Sequence, residues 1–287
     1  MRDVTKLKSH FAANSANDQH FPEFWVEAAA VFPEQLRQLA QFGGHPAAKQ
    51  LGLAEIGVLA TTDPDELKEF FCKYGSDKSI AAFHNYHILY AYLMDRLGRN
   101  SSLRYLEIGI GTDDPTVASS MGTTGKPGAS LRSFRDYCPN AQIFGADIDR
   151  KCLFTEERIQ TFYVDQLDTS SFAALYASCG GEDFDFILDD GLHSICANLN
   201  TLLWGLGHLK KGGFLCVEDI GGWGGPGLIK NFEVSEPEVA EGVPPGAHKP
   251  ACVALYNYSL RYSCNRAPSP DRWWTRCYEA MRTSTPG

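Results

Sequence analysis

The sequence predicts an α/β fold built on a doubly wound, mostly parallel sheet, and three observations lead to this prediction. From about residue 103 onward, short apolar runs bounded by Gly, Asp and Pro alternate with stretches of helical length. These runs are apolar on both faces, which is typical of buried parallel strands joined by right-handed crossovers. The 287 residues, 44% hydrophobic and 21% charged, are enough for one large α/β domain with an appended element.

Five apolar runs are the predicted strands of this sheet, and they lie at 104–108, 142–146, 161–164, 184–188 and 214–217. The clearest intervening helix precedes the last run, where Ile195, Leu199, Leu202 and Leu206 keep a helical period. We therefore assign residues 99–287 to the main α/β domain.

The first hundred residues predict helices instead, and residues 1–98 form the predicted N-terminal helical region. Asp63 or Thr62 can cap a helix that begins at Pro64 and ends at Gly75. A second helix is expected from about residue 85 to 97, ended by Gly98. This region could cover the substrate side, or its apolar faces could form the interface of a homo-oligomer.

Charge and composition limit the classes of partner. A net charge of −9 argues against nucleic acid, because phosphate neutralisation needs a basic surface. The sequence contains neither a run of about 18 apolar residues nor a secretory signal, so we expect no membrane insertion. The nine cysteines stand singly, which fits reduced thiols and a cytoplasmic location.

Acidic residues follow the predicted strands. Each strand ends at or near at least one of them, and the set is Glu107, Asp147, Asp149, Asp165, Asp189, Asp190, Glu218 and Asp219. The carboxyl ends of parallel strands meet at one edge of the sheet, where ligands bind in this fold. Because like charges repel, so many carboxylates on one edge indicate a cationic cofactor, a metal ion, or both.

The segment Leu106-Glu107-Ile108-Gly109-Ile110-Gly111 is the first candidate binding element. Its two glycines let the backbone approach a ligand closely, although a simple tight turn would explain them too. A dinucleotide fingerprint would need a third glycine where Asp114 stands, and Asp113 and Asp114 would repel a pyrophosphate. A sulfonium cofactor without phosphate suits this acidic loop better.

Two later segments complete the predicted cofactor site. Asp147 follows the second strand, where a carboxylate can accept both ribose hydroxyls of an adenosyl group. Asp165 and Gln166 follow the third strand and are expected at the adenine edge. The order of glycine loop, ribose acid and adenine contact predicts binding of S-adenosyl-L-methionine.

These motifs resemble those of class I S-adenosylmethionine-dependent methyltransferases, and most of all metal-dependent O-methyltransferases that act on sugars of macrolide antibiotics. The resemblance covers roughly residues 74–220 and is carried by 74–78 with His84 and Tyr86, 105–111, 127–132, 145–149, Asp165-Gln166, 188–193 and 217–220. It implies a Rossmann-like fold. The predicted cofactor contacts are Glu107, Gly109, Gly111, Asp147, Asp165, Gln166, Asp189 and Lys78, the last either touching the cofactor carboxylate or lying in a solvated turn.

Asp190, Glu218 and Asp219 are the predicted metal ligands. They end neighbouring strands with no Lys or Arg nearby in sequence, and such a group is costly without a cation. Hard oxygen ligands favour Mg²⁺ or Mn²⁺, and the resemblance implies the same set. His193, three residues after Asp190, matches the general base of the family. The alternatives are that Asp189 and Asp190 only cap the next helix and that His193 is an ordinary surface or core histidine.

The expected reaction is methyl transfer to a hydroxyl of a small molecule, with a sugar of a glycosylated natural product as the favoured acceptor. A bound metal would lower the pKa of the hydroxyl, and His193, with Asp190 beside it in the catalytic set, would accept the proton. The glycine-rich segment 221–227 is predicted as a lid, with a long irregular loop as the alternative.

Four other functions compete with this one. The enzyme could methylate without a metal, with His193 or another base acting alone, or the chain could bind an adenosyl ligand without catalysis. An NAD-dependent oxidoreductase would need a phosphate-compatible loop, against which Asp113-Asp114 argues. The D-x-D of Asp147 and Asp149 also matches nucleotide-sugar glycosyltransferases, but that leaves the glycine loop and Glu218-Asp219 unexplained.

Overall fold

The computed structural model describes residues 61–79 and 84–219, and these carry the fold and the candidate site. It also describes positions 30, 31, 34, 35, 37 and 38 and the strand backbones at 49–52, 231–235 and 251–254. The predicted lid at 221–227 lies outside the described residues. No helix in the described ranges is both long enough and apolar enough to cross a bilayer.

Five α-helices are described: α1 Pro64–Tyr74, α2 Tyr86–Leu97, α3 Ala129–Tyr137, α4 Thr169–Ser178 and α5 Ile195–Gly207. The first helix forms as its end residues predict. Asp63 accepts a hydrogen bond from the Asp65 N–H at 2.9 Å, and Gly75 ends the helix in the left-handed conformation at φ 77°. The predicted α2, which ends at Gly98, is also confirmed.

In the described part of the chain nine strands form one sheet: β1 Lys49–Gly52, β2 Arg104–Ile108, β3 Gln142–Asp147, β4 Thr155–Glu156, β5 Ile159–Tyr163, β6 Phe184–Asp189, β7 Leu209–Val217, β8 Asn231–Ser235 and β9 Ala251–Ala254. Their order is β1-β8-β9-β7-β6-β2-β3-β5-β4. The strands from β9 through β5 pair in parallel, whereas β4, β8 and β1 each pair antiparallel with a neighbour. The predicted doubly wound, mostly parallel sheet is confirmed.

Two details of the sequence prediction were wrong. The first hundred residues are not helical throughout, because Lys49–Gly52 forms an edge strand that pairs with Asn231–Ser235. The last predicted strand begins at Leu209 rather than Phe214. Leu209 pairs with Phe184, but the register against β6 then shifts before Phe214 pairs with Phe186, and Gly212 within this shift has φ of 75°.

Helices cover both faces of the sheet. Side chains of α1, α2 and α3 share one hydrophobic cluster with Tyr105 and Phe186, whereas those of α4 and α5 share a second with Leu106 and Ile187. The alternation of Tyr105 and Leu106 between the clusters follows the two-residue period of a strand. Because α1 and α2 belong to the first cluster, the helices of the predicted N-terminal region share a core with the sheet.

The chain changes direction across the sheet at β2. From β2 it passes to β3 and β5 on one side, and it later returns to β6 and β7 on the other side. In an open parallel sheet, the loops after the two strands at such a switch point move apart and leave a crevice. This feature locates the candidate site at the carboxyl ends of β2 and β6.

Candidate active site

A cleft of about 190 Å³ opens at the carboxyl ends of β2, β3, β5 and β6. Each strand end contributes to the wall, and the lining residues include Gly109, Gly111, Asp147, Asp165, Gln166 and Asp190. Five of the eight residues predicted to contact the cofactor therefore line one cleft, together with Asp190 from the predicted metal set.

The glycine loop after β2 is shaped by backbone conformations that favour glycine. Gly109 and Gly111 have φ values of 84° and 85°. A methyl group on Gly109 would overlap the main chain of Asp190 and Gly191, so only glycine allows the two loops to touch. Two hydrogen bonds at 2.8 Å fix them to the strand ends, one from Gly109 N–H to the Ala146 carbonyl and one from Asp190 N–H to the Ile108 carbonyl.

Asp147 lines the cleft and is 7% exposed. Its Oδ2 accepts from the Ile110 N–H at 3.0 Å, and its Oδ1 accepts from the Asp149 N–H at 2.9 Å. Burial raises the pKa of Asp147, although these backbone donors oppose the rise. Each carboxylate oxygen has a second lone pair, so the side chain, held in place by two backbone contacts, can still accept from a ligand hydroxyl.

Asp165 and Gln166 both line the cleft after β5, but their side chains differ in what they can offer. Gln166 Nε2 donates to Asp189 and to Thr201, each at 2.8 Å, and its Oε1 accepts from the Leu192 N–H at 2.7 Å. Its amide therefore ties β5 to the loop after β6. Asp165 accepts from the Leu167 N–H at 2.9 Å and is half-buried, which leaves carboxylate capacity facing the cleft.

Glu107 and Asp189 are predicted cofactor contacts, but the structure places both outside the lining of the cleft. Glu107 is 1% exposed and accepts from Ser130 at 2.6 Å and Tyr105 at 2.8 Å. Burial raises its pKa to about 7, although Lys78 opposes the rise. Asp189 is fully buried and accepts from Gln166 and from Asn198, the latter at 3.0 Å. Both carboxylates thus hold neighbouring elements together.

Asp190, His193 and Asp219 converge beside the cleft. Nε2 of His193 lies 3.6 Å from Asp190 Oδ1 and 3.9 Å from Asp219 Oδ2, and one ligand atom from each residue falls within 4.8 Å of the others. His193 is 8% exposed, and its Nδ1 is buried without a hydrogen-bond partner among the described residues. Two hard carboxylates with an imidazole are a donor set that a divalent cation can use.

Two members of this group have a strained backbone. His193 and Asp219 both have φ of 54°, in the left-handed region that few residues other than glycine adopt. Such strain persists only where the surroundings enforce it, and it is concentrated at functional sites. This supports a functional role for both side chains.

Glu218, the third predicted metal ligand, does not belong to the group that Asp190, His193 and Asp219 form. It is 2% exposed, and its Oε1 accepts from the Tyr90 hydroxyl while its Oε2 accepts from Lys78 at 2.8 Å. Both of its oxygens therefore have protein partners from the helix α2 and from the segment before it. The neighbouring Asp219 accepts at Oδ1 from the Tyr86 hydroxyl at 2.6 Å.

Lys78 lies inside the carboxylate cluster and not in the cleft. It is 2% exposed, donates to Asp190 Oδ2 and Glu218 Oε2, and lies 3.9 Å from Glu107 Oε1. Burial acts to lower the pKa of Lys78, but the three carboxylates raise it well above its ordinary value. The sequence shows no nearby cation because Lys78 is 112 residues before Asp190. The interpretation of Lys78 as a solvated turn residue is wrong.

His84 and Tyr86 belong to the segments that carry the family resemblance, and Tyr90 lies one turn later on α2, but the sequence did not indicate what these side chains contact. Tyr86 is fully buried and stacks on His84, with ring centroids 4.4 Å apart. Tyr86 and Tyr90 lie four residues apart on α2, so both hydroxyls reach the carboxyl end of β7 from one helix face. The four-residue spacing of the two tyrosines could have indicated these contacts, because two buried tyrosine hydroxyls on an otherwise apolar helix face need polar partners.

The amino-acid sequence is similar to those of known enzymes, although no family model matches the chain. It is 29% identical over 222 residues to 8-demethyl-8-(2-methoxy-alpha-L-rhamnosyl)-tetracenomycin-C 3'-O-methyltransferase of Streptomyces olivaceus, which covers 69% of this chain and 53% of the relative. It is 32% identical over 171 residues to mycinamicin VI 2''-O-methyltransferase of Micromonospora griseorubida, covering 59% and 39%. The predicted resemblance to macrolide and sugar O-methyltransferases is confirmed.

The chain spans about half the length, or less, of these two relatives of the O-methyltransferase group. Among solved structures, this chain is similar to that of MycE methyltransferase from the mycinamycin biosynthetic pathway in complex with Mg, SAH and mycinamycin VI. That match has a TM-score of 0.45 at 26% identity and covers 56% of this chain and 40% of the other.

Proposed function

We propose that this chain is an S-adenosylmethionine-dependent O-methyltransferase that acts on a sugar hydroxyl of a glycosylated small molecule. The observation that carries the proposal is the position of Asp190, which lines the cleft and also belongs to the group with His193 and Asp219. A methyl donor in the cleft would therefore end beside the groups that can bind and deprotonate a hydroxyl. The named relatives methylate oxygen atoms of such compounds.

The cleft supports binding of the cofactor without phosphate. Asp147 is fixed by two backbone donors and keeps free acceptor capacity for ribose hydroxyls, and Asp165, which lines the same cleft, would meet the adenine edge. Gly109 lies directly against the loop after β6, so the methionine part of the cofactor would pass close to both loops. The acidic surroundings favour a sulfonium over a pyrophosphate.

The residues present fit a hard divalent cation. Asp190 and Asp219 would hold Mg²⁺ or Mn²⁺ through carboxylate oxygens. The predicted ligand Glu218 would join them only through an oxygen that already accepts from Tyr90 or Lys78, and His193 would stay free as the base. A bound cation would supply Lewis acidity, which lowers the pKa of the substrate hydroxyl. An alternative within the same group of residues is that His193 itself is a ligand, since its Nε2 lies within reach of both aspartates.

The chain's own residues account for the transfer of the proton. His193 accepts the hydroxyl proton at Nε2, and the alkoxide oxygen then forms a bond to the methyl carbon as the carbon–sulfur bond breaks, which leaves S-adenosylhomocysteine. Asp190 and Asp219 stabilise the imidazolium that results, because they face the same nitrogen at 3.6 and 3.9 Å.

Calorimetry with S-adenosylhomocysteine, with and without Mg²⁺, tests the proposal. We expect saturable binding in both conditions, and methyl transfer to a glycosylated macrolide panel that stops in excess EDTA and returns with Mg²⁺. Absence of binding at high micromolar ligand would refute the cofactor assignment. Activity that survives exhaustive chelation would favour the metal-independent alternative.

The two roles of His193 are separated by Mn²⁺ titration of His193→Gln. If His193 is the base, the variant keeps the Mn²⁺ affinity of the parent and loses turnover. If it is a ligand, the Mn²⁺ affinity falls together with turnover.

A further inference from the structure

Lys78 is buried in a place where a lysine is costly. Its ammonium is 2% exposed and touches one carboxylate after β6 and one after β7, with Glu107 of β2 3.9 Å away. Within the described part of the chain, no other lysine or arginine forms an ion pair with these three carboxylates. Because an uncompensated buried carboxylate is strongly unfavourable, this single charge holds three strand ends together.

Asp190 is shared between two groups. Its Oδ2 accepts from Lys78, while its Oδ1 lies 3.6 Å from His193 in the group that can hold a cation. Glu218, a predicted ligand, also accepts from Lys78. A divalent cation and the ammonium would therefore draw on the same carboxylates and repel each other at short range.

We propose that Lys78 is a built-in counter-cation, which holds Asp190 and Glu218 in position in the metal-free protein and lowers the affinity of the site for a divalent cation. This inference rests on the proposed metal site but assigns Lys78 a role that is separate from cofactor binding. The cation then binds weakly, and it exchanges readily, because the site does not collapse or unfold without it.

The alternatives for Lys78 make different predictions. A contact to the cofactor carboxylate would require the ammonium to line the cleft, whereas Lys78 is absent from its wall. A purely structural ion pair would stabilise the fold without changing metal affinity. Only a charge that competes with the metal makes the affinity rise when the charge is removed.

The test uses Lys78→Met in the full chain, with Mn²⁺ as the probe and calorimetry as the measurement. We expect the variant to bind Mn²⁺ at least roughly tenfold more tightly than the parent, because a like charge has been removed. Without metal its Tm should fall, and added Mn²⁺ should raise the Tm more than it does for the parent. The matched control is Lys73→Met, whose half-exposed ammonium pairs with Asp136 at 2.8 Å outside the site and should leave Mn²⁺ affinity unchanged.

Each other outcome is informative. Unchanged or weaker Mn²⁺ binding by folded Lys78→Met overturns the proposal, and so does the absence of Mn²⁺ binding in both parent and variant. A fall in S-adenosylhomocysteine affinity with unchanged Mn²⁺ affinity would overturn the proposal and support a contact between Lys78 and the cofactor carboxylate. If Lys78→Met does not fold, Lys78→Gln keeps a donor for Glu218 and must still bind Mn²⁺ more tightly. Binding of S-adenosylhomocysteine by the parent tests the proposed function independently.

Discussion

Replacing Glu107 with Gln should change how the stability of the protein depends on pH. Glu107 is 1% exposed, and burial raises its pKa from an ordinary 4.5 to about 7. Glutamine has nearly the same shape and can still accept from Ser130 or Tyr105, but it does not titrate. The variant therefore removes the charge and keeps most of the packing.

The sign follows from proton binding in the two states. Below pH 4.5 Glu107 is protonated whether the chain is folded or not, so its pKa has no effect on stability there. Between pH 4.5 and about 7 the unfolded chain releases the proton while the folded protein retains it, so the stability of the parent falls as pH rises. At about 1.36 kcal/mol for each pKa unit, the full loss is roughly 3 kcal/mol.

Urea unfolding in EDTA at pH 4.5, 6 and 7.5 measures this effect. We expect Glu107→Gln to gain roughly 3 kcal/mol relative to the parent across that interval. Glu157→Gln, at an exposed position between β4 and β5, is the control and should run parallel to the parent. A difference between Glu107→Gln and the parent that does not change with pH would refute the reasoning. Loss of S-adenosylhomocysteine binding at equal stability would instead support a direct cofactor contact.

Three further predictions concern the cleft, the base and the fold. Asp147→Asn should weaken S-adenosylhomocysteine binding by at least about tenfold in calorimetry, while Asp168→Asn at the exposed cap of α4 should not. His193→Gln should lower kcat by about a hundredfold or more and leave S-adenosylhomocysteine affinity unchanged; turnover close to the parent's would exclude it as the base. Asp63→Ala should cost about 1 kcal/mol in the free energy of unfolding by losing the cap of α1, and a loss no larger than that of exposed Glu69→Ala would contradict the capping argument.

The fold was predictable where local chemistry fixes an element. The cap at Asp63, proline at the first position of α1 and Gly75 at its end depend on neighbours within one turn, so the sequence indicates them directly. The edge strand Lys49–Gly52 was not predictable in this way. It is stabilised by pairing with a segment some 180 residues later, which no local pattern reveals.

The site was predictable as a set of strand ends but not as a set of contacts. The acidic residues after β3, β5, β6 and β7 do meet at one edge, because parallel strands end on the same side. Knowing where a strand ends does not show on which face of the sheet each acidic side chain lies. Glu107 shares a face with Tyr105 by the two-residue period of the strand, so the sequence already contained the signal that it lies beneath a helix.

The other differences between the predicted and the observed contacts come from side chains that are far apart in the sequence. The Gln166 amide could serve adenine on sequence grounds, but Asp189, Thr201 and Leu192 use its donor and acceptor groups in the folded chain. Lys78 could not be assigned to Asp190 and Glu218, since both lie more than 100 residues away. Side-chain partners at this distance depend on the completed tertiary structure.

The backbone contact between Gly109 and Asp190 joins the cleft to the carboxylate cluster. Gly109 belongs to the wall of the cleft, and there is no space for even a methyl group between it and the Asp190 main chain. A ligand that shifted Asp190 would therefore displace the glycine loop as well. If the proposed cofactor and cation bind in this way, thermodynamic reciprocity requires that each changes the equilibrium constant of the other by the same factor.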